Sequence, residues 1–464
     1  MDVIRDLRNY LTQPHVRPWG LAPPILVLLF CLPLLRPLRH PDPGQISDDE
    51  LARLATVQSI VEHHSLSIDQ SSFIPPHGTT RIGHKLYADQ PLTMALLLSG
   101  PYWVMHRFGY TLGENINLVE FFLTLFGVTI PVALAAGFIY RMGRLFELPR
   151  WKRTALALIV AFASGLVSYG VVLNAHAPAA ALVIASTACL AHVALSKRPA
   201  RMSGWIAACG LCAGLAASIE PAAVIFTVLL IAVIPALRWR PMMRVTGVFL
   251  YLLGLAPTLL LHAAITIPVT GDLRPINWHP ELNPRVDQNL GASAGDFDDD
   301  DRSRFAVVWD GLARLSEGTL GEHGILSHFP IVIVGILGIF AVMHRHWPTT
   351  TKIMAASTGI GAIVILAGYC LVTRVGAGSM FAARWFVVFV PLLLFWSGAW
   401  LRRRHHPLTW TVAGLLLVFS TAVSLVGASD PFPREGYDRY TAGEAMAKLV
   451  HPEPTAQTTI LAGG

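Results

Sequence analysis

Eleven apolar runs, near 20–38, 117–140, 154–173, 177–195, 203–219, 221–237, 246–268, 329–343, 352–372, 380–400 and 408–427, alternate with polar segments along this 464-residue chain. Each is close to the roughly 20 residues a helix needs to cross about 30 Å of hydrocarbon. The short alternating strands of a membrane barrel are not the pattern here. The chain therefore reads as an all-α polytopic membrane protein with about eleven transmembrane helices. The first run follows Arg5, Arg8 and Arg17, has no small-residue cleavage site and is followed by Arg36 and Arg39, so it reads as a retained span.

Orientation follows from the basic residues, which concentrate on the cytoplasmic side of membrane proteins. With the amino terminus inside, the inner segments carry Arg5/Arg8/Arg17, Arg141/Arg144/Arg150/Lys152/Arg153, Lys197/Arg198/Arg201, Arg238/Arg240/Arg244, Arg345/Lys352 and Arg402/Arg403/Arg404. The outer loops, 39–116 and 270–328, and a tail after 428 hold most of the carboxylates. The apolar stretch from Leu92 to Phe108 cannot cross without inverting this order. It is therefore laid flat at the interface, with Pro91 and Pro101 breaking its ends and Tyr102, Trp103 and His106 suited to head-group depth.

Ser47-Asp48-Asp49-Glu50 has the capping-box pattern of a helix start, and Leu51, Leu54, Val57 and Val61 continue it as an apolar stripe, predicting a second in-plane helix in the first outer loop. Capping alone accounts for acids there. It does not account for their place just outside the first span, within reach of a lipid head group.

Composition agrees with the membrane reading: 53% hydrophobic and 14% charged residues lie far from a soluble globule. The net charge of +6 and pI of 9.2 come from the cytoplasmic loops, so nucleic acid is not an expected partner. The five cysteines lie in or beside apolar runs, which disfavours disulfides. Cys209-Gly210-Leu211-Cys212 has redox or zinc spacing but sits in a Gly/Ala-rich helix, where small residues serve close helix packing. Asp296-Phe297-Asp298-Asp299-Asp300-Asp301 lacks the glycine and terminal glutamate of a calcium loop and reads as a solvated acidic run.

The order of a span, an Asp-Glu helix start, Tyr87-Ala88-Asp89-Gln90-Pro91, an in-plane helix and a span ending in a basic loop resembles the GT-C glycosyltransferases. The protein O-mannosyltransferases and lipid A aminoarabinose transferases are the nearest in pattern. Asn174-Ala175-His176-Ala177-Pro178, Ile219-Glu220-Pro221, Gly321 to Pro330 and Gly376 to Phe386 add to the likeness. The resemblance implies a GT-C-like bundle over 1–428 with a short extracytoplasmic tail, 429–464. It implies transfer of a sugar from a polyprenyl-phosphate donor to a lipid, glycan or protein acceptor at the extracytoplasmic face of a cell membrane. No cofactor is implied, and a divalent metal stays open.

Such chemistry needs a base for the acceptor hydroxyl and cations for the departing phosphate. Asp49 is the expected base, oriented by Glu50 or Asp48. The expected substrate contacts are Arg384, Arg374, Lys85, Arg81, Tyr87, Gln90, His176, Glu220 and His323, with Arg384 on the donor phosphate because a guanidinium grips it with two N–H bonds. A transporter or lipid flippase would also have many spans, but internal repeats and mid-bilayer helix breaks are its signature. A non-catalytic membrane protein is the third reading.

Overall fold

The computed structural model describes residues 17–35, 46–76, 78–196, 202–237, 241–279, 304–372, 384–403, 405–431 and 441–450. Nearly all secondary structure in them is helical, α1 (Arg17–Cys31) coming first and running on through a 3-10 turn. The segment after it contributes α2 (Asp48–Glu62), a hairpin β1 (Thr79–Ile82) and β2 (Lys85–Ala88), and α3 (Leu92–Arg107). Then follow α4 (Leu112–Thr124), joined by a π-helical turn to α5 (Ile130–Met142), α6 (Arg150–Phe162), α7 (His176–Leu195), α8 (Met202–Ile219), α9 (Val224–Ile231) and α10 (Pro241–Thr270). The second half holds α11 (Arg304–Leu320), α12 (Ile325–His328), α13 (Val332–Met343), α14 (Thr349–Val372), α15 (Val390–Phe395), α16 (Ser397–Leu401), α17 (Pro407–Ser429) and α18 (Ala442–Val450).

Among the described residues six helices are long and apolar enough to cross a membrane: Leu112–Phe146, His176–Leu195, Met202–Ile219, Arg244–Thr270, Thr349–Cys370 and Pro407–Ser429. They match six of the eleven expected runs. A seventh run forms α13, which is bent by 99° from Gly311–His328. Three more form the shorter apolar helices Trp19–Leu34, Pro221–Ala236 and Val390–Leu401. The eleventh, expected as a helix over 154–173, is corrected: α6 stops at Phe162 and the chain turns through Gly165, whose φ of +75° an L side chain rarely adopts.

Irregular backbone at this depth must be satisfied within the protein. It is. Ser168 Oγ donates to Ser424 O at 2.7 Å, Thr129 Oγ1 to Gly170 O at 2.8 Å, and Asn174 Nδ2 to Tyr169 O and Val172 O at 2.6 and 2.8 Å. The run 380–400 is likewise broken, into the 3-10 stretch Arg384–Val388, α15 and α16.

Other expectations are refined. The span placed at 117–140 starts at Leu112, capped by Thr111. Pro101 lies inside α3 rather than at its end, and at 16 residues α3 is about 24 Å long, short of the hydrocarbon thickness. Helix α2 is more enclosed than an in-plane stripe implies, because Ala52 to Ser59 are all buried. The hairpin and α11, which lies in the loop expected at 270–328, had no counterpart in the sequence reading. In the tail, α18 packs on α17 and buries Ala442 and Ala445. All five cysteines are free thiols.

Small residues bring α8 and α10 backbone to backbone, as the Gly/Ala-rich pattern implied. A Cβ on Gly210 would lie 2.0 Å from the Tyr251 carbonyl oxygen, and one on Gly254 would lie 1.9 Å from that of Ala207. Because a carbonyl cannot move aside as a flexible side chain can, Gly254→Ala should lower the unfolding midpoint in detergent, at a cost of about 1–3 kcal/mol. Gly414→Ala, at a position with nothing within 4 Å, should leave it unchanged. Equal midpoints for the two variants would contradict this account of the interface.

Candidate functional site

The capping box at the start of α2 is present: Ser47 Oγ accepts from Glu50 N–H, and the Glu50 carboxylate accepts from Ser47 N–H. Glu50 reaches further, because its other oxygen accepts from Leu173 N–H at 3.0 Å in the irregular segment after α6. One turn on, Arg53 Nη1 donates to Leu173 O at 3.0 Å. Residues three apart share a helix face, so both backbone groups of Leu173 are gripped by one side of α2.

Arg53 and Asp49, four apart, share that face too. Gln90, just after the hairpin, accepts from Arg53 Nη2 at 2.5 Å and donates from Nε2 to Asp49 O at 3.1 Å. Its place is thus between Arg53 and the backbone of Asp49.

Asp49 Oδ2 pairs with Arg384 Nη1 at 2.5 Å. The Arg384 side chain is 11% exposed against 36% for Asp49, so the acid can be reached where the guanidinium is enclosed. Burial opposes ionisation of Asp49, but the Arg384 and Arg53 guanidiniums outweigh it and hold the carboxyl below the ordinary aspartate value. The buried Arg384 Nε has no hydrogen-bond partner among the described residues.

A second pair lies within the same electrostatic field. His176 Nδ1, at the first turn of α7, is 2.6 Å from Glu220 Oε2 at the end of α8, and Tyr369 of α14 donates to Glu220 Oε1 at 3.1 Å. Burial would raise the Glu220 carboxyl, but His176 and the hydrogen bonds lower it overall. Tyr369 stacks on Trp385, ring centroids 4.8 Å apart, and Trp385 follows Arg384 in the chain. Burial, then the charge of Asp49, push the Asp89 carboxyl up to about 7.

The structure therefore brings together Asp49, Glu50, Gln90, Arg384, His176 and Glu220 of the expected residues. Arg81 and Lys85 stand exposed on the hairpin. Tyr87 packs against an apolar cluster of Leu92, Ile265, Val269 and Ile276, which ties the hairpin to the end of α10. Asp48 is partly exposed in the first turn of α2, and His323 lies half-buried in the turn between α11 and α12. Arg374, the Gly376–Gly378 stretch and the Asp296–Asp301 run fall outside the described residues. Arg53 and Tyr369 were missed. Arg53 had a signal, since its spacing from Asp49 and Glu50 puts it on their face. Tyr369 had none, since a lone tyrosine in an apolar helix reads as packing. Among the described residues no three His, Cys, Asp or Glu side chains gather as a metal site would require.

No protein-family model matches the chain, and none of the curated proteins does. Solved structures do. The oligosaccharyltransferase of Archaeoglobus fulgidus, tethered with an acceptor peptide containing the NVT sequon, superposes with a TM-score of 0.57 at 15% identity, covering 92% of this chain and 57% of that one. The same organism's oligosaccharyltransferase AglB, with an inhibitory peptide and a dolichol-phosphate, gives 0.53 at 14% identity over 96% and 59%. ArnT from Cupriavidus metallidurans bound to undecaprenyl phosphate gives 0.47 at 16% over 88% and 68%. The chain spans less than two thirds of the archaeal proteins it matches. It shares its fold with these archaeal oligosaccharyltransferases.

Glu50 is the joint between α2 and the bundle. Glu50→Ala removes the acceptor for Ser47 and leaves the buried Leu173 N–H unmet, which should destabilise the protein by about 1–3 kcal/mol. Asp48→Ala, on the partly exposed side of the same turn, should cost less. Thermal unfolding of both variants in one detergent checks this, and equal loss would contradict the assigned role of Glu50.

Proposed function

We propose that this protein is a membrane glycosyltransferase that moves a sugar from a polyprenyl-phosphate donor to an acceptor hydroxyl. The observation that carries the reading is Arg384: an enclosed guanidinium paired with Asp49 on one side, whose Nε is without a partner among the described residues. An unmet N–H beside a satisfied one is what a phosphate oxygen would complete. The fold shared with oligosaccharyltransferases supports the reaction class.

A cavity of about 290 Å³ supports the lipid part of the donor. Its lining is apolar, from Met94 and Leu98 of α3 to Phe126 and Leu134, and it reaches Pro178 and Ile219. Ile219 precedes Glu220 and Pro178 lies two residues after His176, so the apolar space comes close to the polar cluster. A polyprenyl chain fits that chemistry, with its phosphate at Arg384 and its sugar towards Asp49.

In this reading the acceptor hydroxyl gives its proton to the carboxylate of Asp49, which its two arginines keep ionised. The acceptor oxygen bonds to the anomeric carbon, and the phosphate leaves with the electrons of the broken C–O bond, its charge met by Arg384. Glu50, Arg53 and Gln90 position Asp49. His176 and Glu220 flank the site, while Arg81, Lys85 and His323 are kept for more distant parts of donor or acceptor. The acceptor is a lipid, glycan or protein, and the site faces the extracytoplasmic side with the amino terminus inside.

Binding of undecaprenyl phosphate to protein in nanodiscs tests this. Arg384→Ala should weaken binding at least tenfold, a difference of about 1.4 kcal/mol. Arg384→Lys should fall between, since it keeps the charge and loses the fork. Asp49→Asn should bind at least as well as wild type while transfer from an undecaprenyl-phosphate sugar drops by about 10²- to 10⁴-fold. Equal affinity for wild type and both Arg384 variants would overturn the phosphate assignment.

A further inference from the structure

We propose that the donor lipid is gripped over only about its first two isoprene units, in the apolar cavity beside α3, and that Gly127 and Ala181 set this limit. The inference rests on the transfer reading above and adds which part of the polyprenyl chain the protein selects.

Volume sets the length. An apolar cavity of about 150 Å³ holds one benzene, a six-carbon ligand. The cavity here is about 290 Å³, so about twelve carbons fill it, a little over two five-carbon isoprene units. The rest of a polyprenyl chain has to lie elsewhere, and the lining shows where. Leu97, Phe126 and Leu134 line the cavity and are exposed on the apolar outside of the bundle, whereas Leu98, Ala181 and Ile219 line it and are buried. Phe126 and Leu134 belong to the membrane-length helix Leu112–Phe146. The cavity is thus closed on its inner side and open sideways, towards hydrocarbon.

The wall between α4 and α5 is a π-helical turn, Leu125–Thr129, closed by a bond from Ile130 N–H to Leu125 O. Such turns are rare and recur at functional sites. This one is held by the irregular segment after α6, because Thr129 Oγ1 donates to Gly170 O at 2.8 Å. Gly127 meets α3 from that turn: a Cβ there would lie 2.5 Å from Leu98 Cδ2 and 3.5 Å from Met94 Cε. Both atoms are ends of flexible side chains, and both residues line the cavity. A side chain at 127 therefore pushes Leu98 and Met94 into the space that the lipid would fill.

On α7 the wall is made of Pro178, Ala181, Leu182 and Ala185, a stretch of about 10 Å along the helix that begins beside His176. Alanines at 181 and 185, four apart on one helix face, leave their share of the volume to the ligand. Phenylalanine at 181 would add a six-carbon ring, which takes about half of a cavity with room for about twelve carbons. Space for one isoprene unit would remain.

The units that fill the cavity are those next to the phosphate, because Pro178 and Ile219 of its lining lie close to the polar cluster in sequence. A chain leaving the bilayer for this cavity gains nothing from the hydrophobic effect, since lipid tails are equally apolar. What it gains is contact with a wall on every side. Units beyond the portal keep the surroundings they had, so they add no selectivity.

Binding of dimethylallyl, geranyl, farnesyl and undecaprenyl phosphate, with one, two, three and eleven isoprene units, to the protein in nanodiscs tests this, affinities being compared at equal mole fraction in the bilayer. Affinity should rise about tenfold from one unit to two and by less than about threefold from three to eleven. Ala181→Phe should bring geranyl phosphate down to about the one-unit level. Gly127→Ala, whose neighbours can yield, should weaken farnesyl phosphate in the same direction without lowering the unfolding midpoint. Dioleoyl phosphatidic acid, a phosphate on straight acyl chains, should not displace farnesyl phosphate; displacement would make this a general phospholipid site and overturn the proposal. So would affinity that climbs steadily from three units to eleven, or longer phosphates held equally by wild type and both cavity variants. Affinities unchanged in Arg384→Ala, with the break at two units kept, would overturn the phosphate assignment and support the cavity limit. No binding of any of the four would overturn both.

Discussion

The ion pair between Asp49 and Arg384 joins α2 to a stretch more than three hundred residues later in the chain, and the geometry of the site depends on it. Asp49 sits one residue past the start of α2, while Arg384 opens the 3-10 stretch that leads into α15. Neither charge would be stable in its place alone. A guanidinium this enclosed costs several kcal/mol to desolvate unless an anion meets it, and the acid beside it stays ionised because that cation is there. A donor phosphate on the Nε that has no partner among the described residues would share the guanidinium with Asp49.

Helix α2 has to be held still for such a pair to form, and the irregular segment after α6 does that. A regular helix through 163–175 would use the backbone groups of Leu173 internally. Because the helix stops at Phe162, those groups are left to Glu50 and Arg53 instead. The break thus creates the anchor. The hairpin supplies the second anchor through Gln90, and its apolar face is pinned to the end of α10 by Tyr87, Leu92 and Ile265.

The parts legible in the sequence were those fixed by local periodicity. Apolar runs near the bilayer thickness became helices, and the Ser47/Glu50 spacing became a capping box. The break after Phe162 was hidden because Ala163 to Leu173 is as apolar as the helix before it, with only Ser164-Gly165 to mark the turn. The hairpin was hidden by its four-residue strands. Asp49, Glu50, His176, Glu220 and Arg384 could be nominated because polar residues beside spans are costly without a partner. Which partner each takes depends on the packing of elements far apart in sequence, so His176 with Glu220 and Asp49 with Arg384 were not readable as pairs. Arg53, which the sequence reading did not single out, is buried at the centre of the site.

A cryo-electron microscopy structure of the protein in nanodiscs with undecaprenyl phosphate tests the account most directly. The account predicts a phosphate within hydrogen-bond distance of Arg384 Nε and the lipid chain in the cavity beside Leu98 and Pro178. A phosphate bound away from Arg384 would contradict it.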